Sequence, residues 1–404
     1  MKKHKKRTTR RRFIRISSCG AVTLLAGKSL IAYALKDRNN ISHHREGTRV
    51  HYKTFSKGQI GSLSLKNRLV RSATYLGTSP GCIFSDHGLS VHRALAEGGV
   101  GLIITGHMTV VPNGHIEDNY YCTCIHEDQF ISHIGRIAET VHQSDDSCRA
   151  IAQITHLGMR DIGDRLVSPS GIPWPSTDQK LHTLSTGEVK AIVNSFVQAA
   201  VRVKKAGFDG VQLHCAHAYL LSTFLSPYFN QRTDQFGGSL EKRVRIVREI
   251  VDGIKTKAGE DFPVLVKVNC NDDVEEGMNM DRFPAFAGEI AETGVDAIEI
   301  SGNDTLITGL NDREEQSYYE KYADRLDLGI PVIITGGNKN IEYMEEIVQQ
   351  GKVDFFGLAR PLIREPSLPN RWLEGNGGAE CDCISCNLCF DQMMKGEITR
   401  CHMI

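Results

Sequence analysis

The chain has 404 residues, of which 40% are hydrophobic and 24% charged, an ordinary composition for a globular protein with a large core. Nine basic residues lie within the first fifteen positions, whereas the first acidic residue is Asp37. Removing the ten basic residues of the first 34 leaves 38 basic against 48 acidic residues, a net charge near −10. Such an acidic chain has no general electrostatic attraction for nucleic acid, so a nucleic-acid partner is not expected.

The N-terminus reads as a leader that directs export. Thr9–Arg15 matches the twin-arginine export signal, the apolar stretch Ala21–Leu35 follows, and Ala32-Tyr33-Ala34 offers a cleavage site. The stretch falls short of the roughly 18 apolar residues of a membrane-spanning helix, so no stable insertion of the mature chain is expected. We predict a signal peptide over residues 1–34 and a periplasmic protein. The alternative is a basic tail that binds acidic surfaces or nucleic acid, in which case the protein stays cytoplasmic.

Past residue 60, short apolar runs alternate with helical stretches, which is typical of a parallel sheet. The runs are apolar throughout, as expected of strands covered on both faces. There are eight of them, which is the closure number of a (β/α)8 barrel. The predicted strands are Arg68–Ala73, Val100–Gly106, Ala150–Thr155, Gly210–His214, Val264–Val268, Ala297–Ile300, Val332–Thr335 and Phe355–Leu358.

The intervening segments agree with this α/β fold, a single TIM barrel. Ser185-Thr186-Gly187-Glu188 is a capping box that opens a helix running to Gly207. Long loops follow strands three and four, on what would be the catalytic face of the barrel. No repeat or linker interrupts the region, so we predict one barrel domain over residues 50–374 and a short cysteine-rich tail over residues 375–404.

The richest motif follows strand four and reads His214-Cys215-Ala216-His217-Ala218-Tyr219, with Phe236-Gly237-Gly238-Ser239 further on. This stretch resembles the Old Yellow Enzyme family of FMN oxidoreductases, close to its NADH:flavin oxidoreductase, dienoyl-CoA reductase and trimethylamine dehydrogenase branches. The likeness extends from about Phe55 to Trp372. Further motifs carry it, in chain order: Lys66–Thr74, Gln153–His156, Thr335–Gly337 and Gly357–Pro361.

The chemistry of reducing an activated alkene suits these side chains. It requires donors to a carbonyl oxygen and an acid for the α-carbon. His214 and His217 would polarise the carbonyl, and Tyr219, whose phenol has an ordinary pKa of about 10, would supply the proton. Two alternatives are histidines that only satisfy buried backbone groups and a His-x-x-His metal site, for which no third ligand stands nearby. The family usually has glycine where this chain has Ala218, which weakens the proton-donor assignment.

The resemblance also implies an FMN site. It places residues of strands one, two, three and five around the flavin ring, with Lys267 as the cation near N1. The phosphate would lie at the loops after strands seven and eight; for the glycine pair there, a simple tight turn is the alternative. The implied cofactor-binding residues are Ala73, Thr74, Gly106, Gln153, Lys267, Gly336, Gly337, Ala359 and Arg360. No Gly-x-Gly-x-x-Gly motif follows a strand, so NAD(P)H, if it is the electron donor, would bind directly over the flavin.

Five of the twelve cysteines fall in the last 24 residues, and the other seven show no pairing rhythm, so no disulfide framework is predicted. Cys383, Cys386, Cys389 and Cys401 resemble the 4Fe-4S motif that follows the barrel in trimethylamine dehydrogenase and dienoyl-CoA reductase. A zinc site, disulfides formed after export and a tail without metal remain alternatives. Cys381 lies outside the four-ligand spacing.

Three functions follow from these features. The first is an FMN-dependent oxidoreductase that reduces an activated C=C bond of a small molecule by hydride transfer from FMN. The second is an exported FMN/4Fe-4S dehydrogenase of the amine or dienoyl type that passes electrons to a redox partner. The third is a flavin-free barrel that binds ligands or acts as a lyase, for which Lys267 is the one lysine to examine.

Overall fold

The computed structural model describes residues 52–112, 122–160, 166–175, 177–303, 307, 310 and 312–403. The leader predicted for residues 1–34 lies outside them. Eight parallel strands form the centre of the fold, and we number them β1 to β8. Their bounds are Leu69–Arg71, Leu102–Ile104, Arg149–Thr155, Gly210–Cys215, Val264–Asn269, Ala297–Ser301, Val332–Thr335 and Phe355–Leu358.

Each strand pairs with its neighbours in chain order, and β8 pairs with β1, so the sheet closes on itself. The predicted (β/α)8 barrel is therefore confirmed. Six strands begin and end within one residue of their predicted bounds. Strand β1 begins one residue later and ends two residues earlier than predicted, and β2 is two residues shorter at each end. In both strands the flanking residues leave the hydrogen-bonded ladder and enter loops.

Helices cover the outside of the barrel. The capping box at Ser185 and Glu188 is present, and the helix it opens ends just before Gly207. Within the described residues, no helix is long and apolar enough to cross a membrane. In chain order the helices are α1 Asp86–Glu97, α2 Ile131–Ser144, α3 Thr186–Lys205, α4 Leu220–Leu225, α5 Leu240–Ala258, α6 Phe283–Ala291, α7 Glu320–Ala323, α8 Ile341–Gln350, α9 Arg360–Arg364, α10 Leu368–Leu373 and α11 Leu388–Met393.

The barrel interior is closed at its amino-terminal end by a hairpin of Gly58–Ile60 and Leu63–Leu65. Ile60, Leu63 and Leu65 are buried and join the apolar cluster formed by inward-facing residues of the strands. This packing fills one end of the barrel. Polar groups are therefore concentrated at the opposite end, where the carboxyl ends of the strands meet.

Short elements within the loops were not predicted. Met108–Thr109 pairs with Thr123–Cys124, and Val167–Ser168 pairs with His182–Thr183. A disulfide joins Cys82 to Cys124, although the spacing of the cysteines outside the tail predicts no pairing. The two partners lie 42 positions apart in loops that follow different strands, a relation that only the fold establishes.

Candidate active site

Three neighbouring strands place His214, Lys267 and Glu299 side by side. His214 is the register partner of Lys267 across β4 and β5, and Lys267 is the partner of Glu299 across β5 and β6. Because register partners point to the same face of a sheet, their side chains lie together. Their exposed fractions are 3%, 3% and 0%, so all three are removed from water.

Glu299 is the centre of a buried polar network. Lys267 Nζ lies 3.0 Å from Glu299 Oε1 and donates to Ser72 Oγ at 2.7 Å. Ser72 Oγ donates to Glu299 Oε1 at 2.6 Å, and Gln212 Nε2 donates to Glu299 Oε2 at 2.7 Å. Gln153 extends the network, since its Nε2 donates to Gln212 Oε1 at 2.8 Å. The predicted residues Gln153 and Lys267 are thus joined, through partners that the sequence analysis missed.

Burial alone raises the pKa of Glu299, but attraction to Lys267 and hydrogen bonds from Ser72, Thr335 and Gln212 bring it below its ordinary value. The network therefore holds a buried carboxylate against a buried ammonium group. Both Lys267 and Gln153 carry donor hydrogens, the kind of group that the pyrimidine edge of a flavin accepts. The donor chemistry of these side chains fits FMN. Their assignment to the flavin stays a prediction.

A cluster of aromatic rings lies beside this network. The Tyr219 ring centroid is 4.4 Å from that of His214 and 5.3 Å from that of His107. His107 stacks on Tyr75 with centroids 5.8 Å apart, and His214 meets His217 edge-on at 5.1 Å. The structure thus brings the three predicted catalytic residues together. It adds His107, which follows Gly106 just beyond β2 and could have been noticed as a polar residue at a strand end.

These histidines are held in their neutral form. Burial lowers the pKa of His107 to about 4. Burial also lowers the pKa of His214 and His217 well below its ordinary value, and the nearby positive charges of Lys267 and Arg160 act in the same direction. The buried Nδ1 of His214 has no hydrogen-bond partner among the described residues. A neutral imidazole with an unused nitrogen can bind one further polar atom.

The backbone at His217 and Ala218 has an unusual conformation, with φ near +60° at both residues. Contacts fix the first of them: His217 N donates to Asn269 Oδ1 at 3.0 Å, and its Nε2 lies 2.9 Å from Ser301 Oγ. Positive φ at the second position favours glycine, since glycine adopts this region without a steric cost. Tyr219 reaches the side of His214 even with alanine there.

Replacing Ala218 by glycine is expected to raise the free energy of unfolding by up to about 1 kcal/mol, because relief of the left-handed strain exceeds glycine's entropic cost. Urea unfolding measures the change. The matched control is Ala216→Gly, two residues earlier, where φ is not positive and the same substitution should destabilise by about 1 kcal/mol. Equal losses in both variants would show that Ala218 is not strained.

The loops after β1 and β2 meet at Thr74 and Gly106. Thr74 Oγ1 donates to Ser72 O at 2.9 Å. A Cβ added to Gly106 would lie 2.8 Å from Thr74 O, so the two loops approach too closely for any side chain there. Ala73 packs on the apolar interior of the barrel. These three predicted residues are therefore adjacent to Ser72 and the Glu299 network, and their contacts to flavin stay a prediction.

Around the predicted phosphate loops, Gly336 and Gly337 have φ of +149° and +71°. Ala359 O accepts a hydrogen bond from Arg71 Nη1 at 2.5 Å. Arg360 has different contacts from those predicted: its Nη1 donates to Asn387 Oδ1 at 2.5 Å and Ile307 O at 2.8 Å. In this structure Arg360 connects the end of β8 to the cysteine tail. Its role toward a phosphate stays a prediction.

The tail cysteines surround a cavity of about 150 Å³. Cys383, Cys386, Cys389 and Cys401 line it together with Arg360 and Arg364, whereas Cys381 does not. Burial raises the pKa of the Cys383 and Cys389 thiols. Across the described parts of the chain, no three Cys, His, Asp or Glu side chains converge tightly enough to hold one metal ion. The four predicted ligands thus share a cavity without meeting at a point.

The chain matches the model of the NADH:flavin oxidoreductase / NADH oxidase family over residues 53–376. It belongs to this family. The predicted Old Yellow Enzyme relationship is thereby confirmed, and with it the class, an FMN-dependent oxidoreductase.

Individual relatives are similar in sequence and fold. A metal reductase of Desulforamulus reducens is 32% identical over 356 residues, covering 86% of this chain and 52% of the relative. NADPH dehydrogenase of Bacillus subtilis is 33% identical over 328 residues, covering 78% of this chain and 92% of the relative. The structure of histamine dehydrogenase from Rhizobium sp. 4-9 superposes with a TM-score of 0.76 at 26% identity, covering 86% of this chain and 52% of that structure's chain. The chain thus spans about half the length of the metal reductase.

Proposed function

We propose that this protein reduces a C=C bond conjugated to a carbonyl group in a small molecule. The observation that carries the proposal is His214, which is buried and neutral, has no partner at Nδ1 within the described part of the chain, and lies against the ring of Tyr219. A neutral imidazole with its proton on Nδ1 donates a hydrogen bond to a carbonyl oxygen and stabilises the negative charge that develops there. The bacterial NADPH dehydrogenase relative fits NAD(P)H as the electron donor.

FMN, when bound, supplies the hydride for the β-carbon. Lys267 and Gln153 would hold the pyrimidine edge of the flavin, and Ala73, Thr74 and Gly106 the face of its ring. The chain's own contribution to the reaction lies in its proton and hydrogen-bond donors. His214 and His217 orient the carbonyl oxygen, and Tyr219 holds a proton at its phenolic oxygen for the α-carbon.

The test uses purified protein, NAD(P)H and 2-cyclohexenone under anaerobic conditions. We expect the visible absorbance of the flavin to be bleached by NAD(P)H and restored by the enone. Tyr219→Phe should slow the restoration by at least about a hundredfold, because a general acid contributes that much, while bleaching by NAD(P)H proceeds at nearly the wild-type rate. An unchanged rate of enone reduction in Tyr219→Phe would refute the proton-donor assignment.

We further propose that the tail holds a 4Fe-4S cluster. Such a cluster binds each thiolate at a separate iron, so its cysteines must stand around a cavity rather than meet at one ion. The four cavity cysteines have this arrangement, and a zinc site, which needs convergent ligands, fits it less well. Arg360 and Arg364 add positive charge at the cavity wall, where a cluster with four thiolates would carry negative charge.

Iron and acid-labile sulfide analysis of anaerobically purified protein tests the cluster. We expect about four irons per chain in the wild type and a large loss in Cys386→Ser. Cys381→Ser is the matched control, because Cys381 belongs to the same tail but does not line the cavity. Wild-type protein without iron and sulfide would refute the cluster and leave the barrel chemistry to be judged separately.

A dehydrogenase that passes electrons to a redox partner is the second candidate function. The cysteine cavity favours it, since a cluster beside the barrel would give electrons a route to an external protein. The similarity to histamine dehydrogenase supports this candidate. The predicted twin-arginine export agrees with it, because NAD(P)H is scarce in the periplasm. Electron transfer to a one-electron dye without alkene reduction would favour it. The flavin-free lyase gains no support, because Lys267 is engaged by Glu299 and Ser72.

A further inference from the structure

The Cys82–Cys124 disulfide links the loops that follow β1 and β2, at the carboxyl end of the barrel. Cys82 ends the turn Pro80–Cys82, and Cys124 ends the short strand Thr123–Cys124. Both residues are buried. The disulfide therefore connects the β1 loop to a short strand at the edge of the barrel sheet.

Each linked segment leads directly to the ring cluster of the active site. The β1 loop carries Tyr75, which stacks on His107. The strand Thr123–Cys124 pairs with Met108–Thr109, which begins immediately after His107. One more side-chain bond parallels the disulfide, between Ser79 Oγ and Thr123 Oγ1 at 2.7 Å. The covalent link thus holds together the two backbones that position the Tyr75–His107 pair.

The same β1 loop also contacts the cysteine tail. Thr399 N donates to Leu76 O at 3.0 Å, two residues before Cys401. A Cβ added to Gly77 would lie 3.3 Å from Glu397 O, so the loop and the tail are packed closely. A change in the position of this loop would therefore alter its contacts with the ring cluster on one side and with the tail on the other.

We propose that Cys82–Cys124 is a structural cross-link that forms once the folded protein reaches an oxidising compartment and that fixes the β1 loop over the flavin site. Two thiols lose two protons and two electrons to a thiol–disulfide oxidant of that compartment, and one S–S bond forms. Before oxidation the loops are held by noncovalent contacts alone, which leaves the site easier to enter for a cofactor. The oxidising compartment rests on the predicted export, and the flavin readout rests on the proposed function.

Peptide mapping tests whether the bond forms. Full-length protein from an oxidising compartment is denatured without reductant, treated with iodoacetamide and digested. We expect a disulfide-linked peptide pair containing Cys82 and Cys124, and alkylation of Cys148, a buried cysteine outside any disulfide. Alkylated Cys82 and Cys124 in that sample would overturn the proposal.

A second experiment tests what the bond does. On reduction, wild-type protein should lose roughly 5 °C in Tm, as estimated for a loop of 42 residues, and should release FMN several-fold faster. The Cys82→Ser/Cys124→Ser variant should behave like the reduced wild type with or without reductant, and Cys148→Ser should keep the wild-type response. If reductant changes neither the Tm nor the FMN release rate of the wild-type protein, the positioning role of the disulfide is overturned. If the protein binds no FMN, the proposed function fails, and the Tm measurement still decides the cross-link.

Discussion

Replacing Lys267 by glutamine is expected to lower the free energy of unfolding by about 3–5 kcal/mol. Glu299 would then be buried without its cation, and the cost of removing a carboxylate from water would no longer be offset. Hydrogen bonds from Ser72, Thr335 and Gln212 remain, but they compensate only part of that cost. Urea unfolding at neutral pH measures the loss, and FMN content of the same preparation shows whether Lys267 also holds the flavin.

Two variants make this result specific. Lys267→Gln combined with Glu299→Gln removes both charges and should recover most of the stability, because no unpaired charge is left in the interior. Arg245→Gln breaks an ion pair with Glu249 on the solvent-exposed face of α5 and should cost less than about 1 kcal/mol. A loss in Lys267→Gln no larger than in Arg245→Gln would contradict the buried ion pair as the organising contact of the site.

The fold and part of the site follow from local sequence signals. The eight strands could be predicted because parallel strands covered on both faces are short, apolar and separated by helices. His214, His217 and Tyr219 could be placed in one site because they follow directly on strand β4. Their mutual distances depend on a single turn of chain, and a local motif contains that information.

The remaining partners depend on register and on contacts between distant loops. Glu299 is an acid within an apolar strand, which marks it as unusual, but only the pairing of β5 with β6 shows that Lys267 neutralises it. His107 joins the ring cluster because β2 and β4 both pair with β3, which brings their carboxyl ends close together. Cys82 meets Cys124 because the loops that carry them follow the paired strands β1 and β2. Sequence spacing contains no signal for such pairs. The positive φ of Ala218 could not be predicted from the sequence either, although alanine in place of the glycine expected from the family resemblance pointed to that position.

Stability is expected to fall steeply as the pH is lowered from about 6.5 to about 4. Burial lowers the pKa of His92, His107 and His156 to about 4, whereas the unfolded chain has the ordinary histidine value of about 6.5. Between these pH values the histidines are protonated in the unfolded chain but neutral in the folded protein. Lowering the pH therefore favours unfolding. The contribution of each histidine to the free energy of unfolding is complete above about pH 6.5. About 3 kcal/mol per histidine is lost by pH 4.

Three such histidines together could remove most of a typical folding free energy, and His214 and His217 act in the same direction. Urea unfolding at half-unit pH steps measures the profile. His92→Gln should flatten it by about 3 kcal/mol, because one buried group no longer titrates, even if the variant is less stable at pH 7. His87→Gln, at an exposed position of α1, should leave the profile unchanged. Carboxylates with a lowered pKa, such as Glu299, lose their contribution only below about their ordinary pKa of 4.5. A wild-type stability that is constant from pH 6.5 to 4.5 would therefore contradict the neutral, buried state of these histidines.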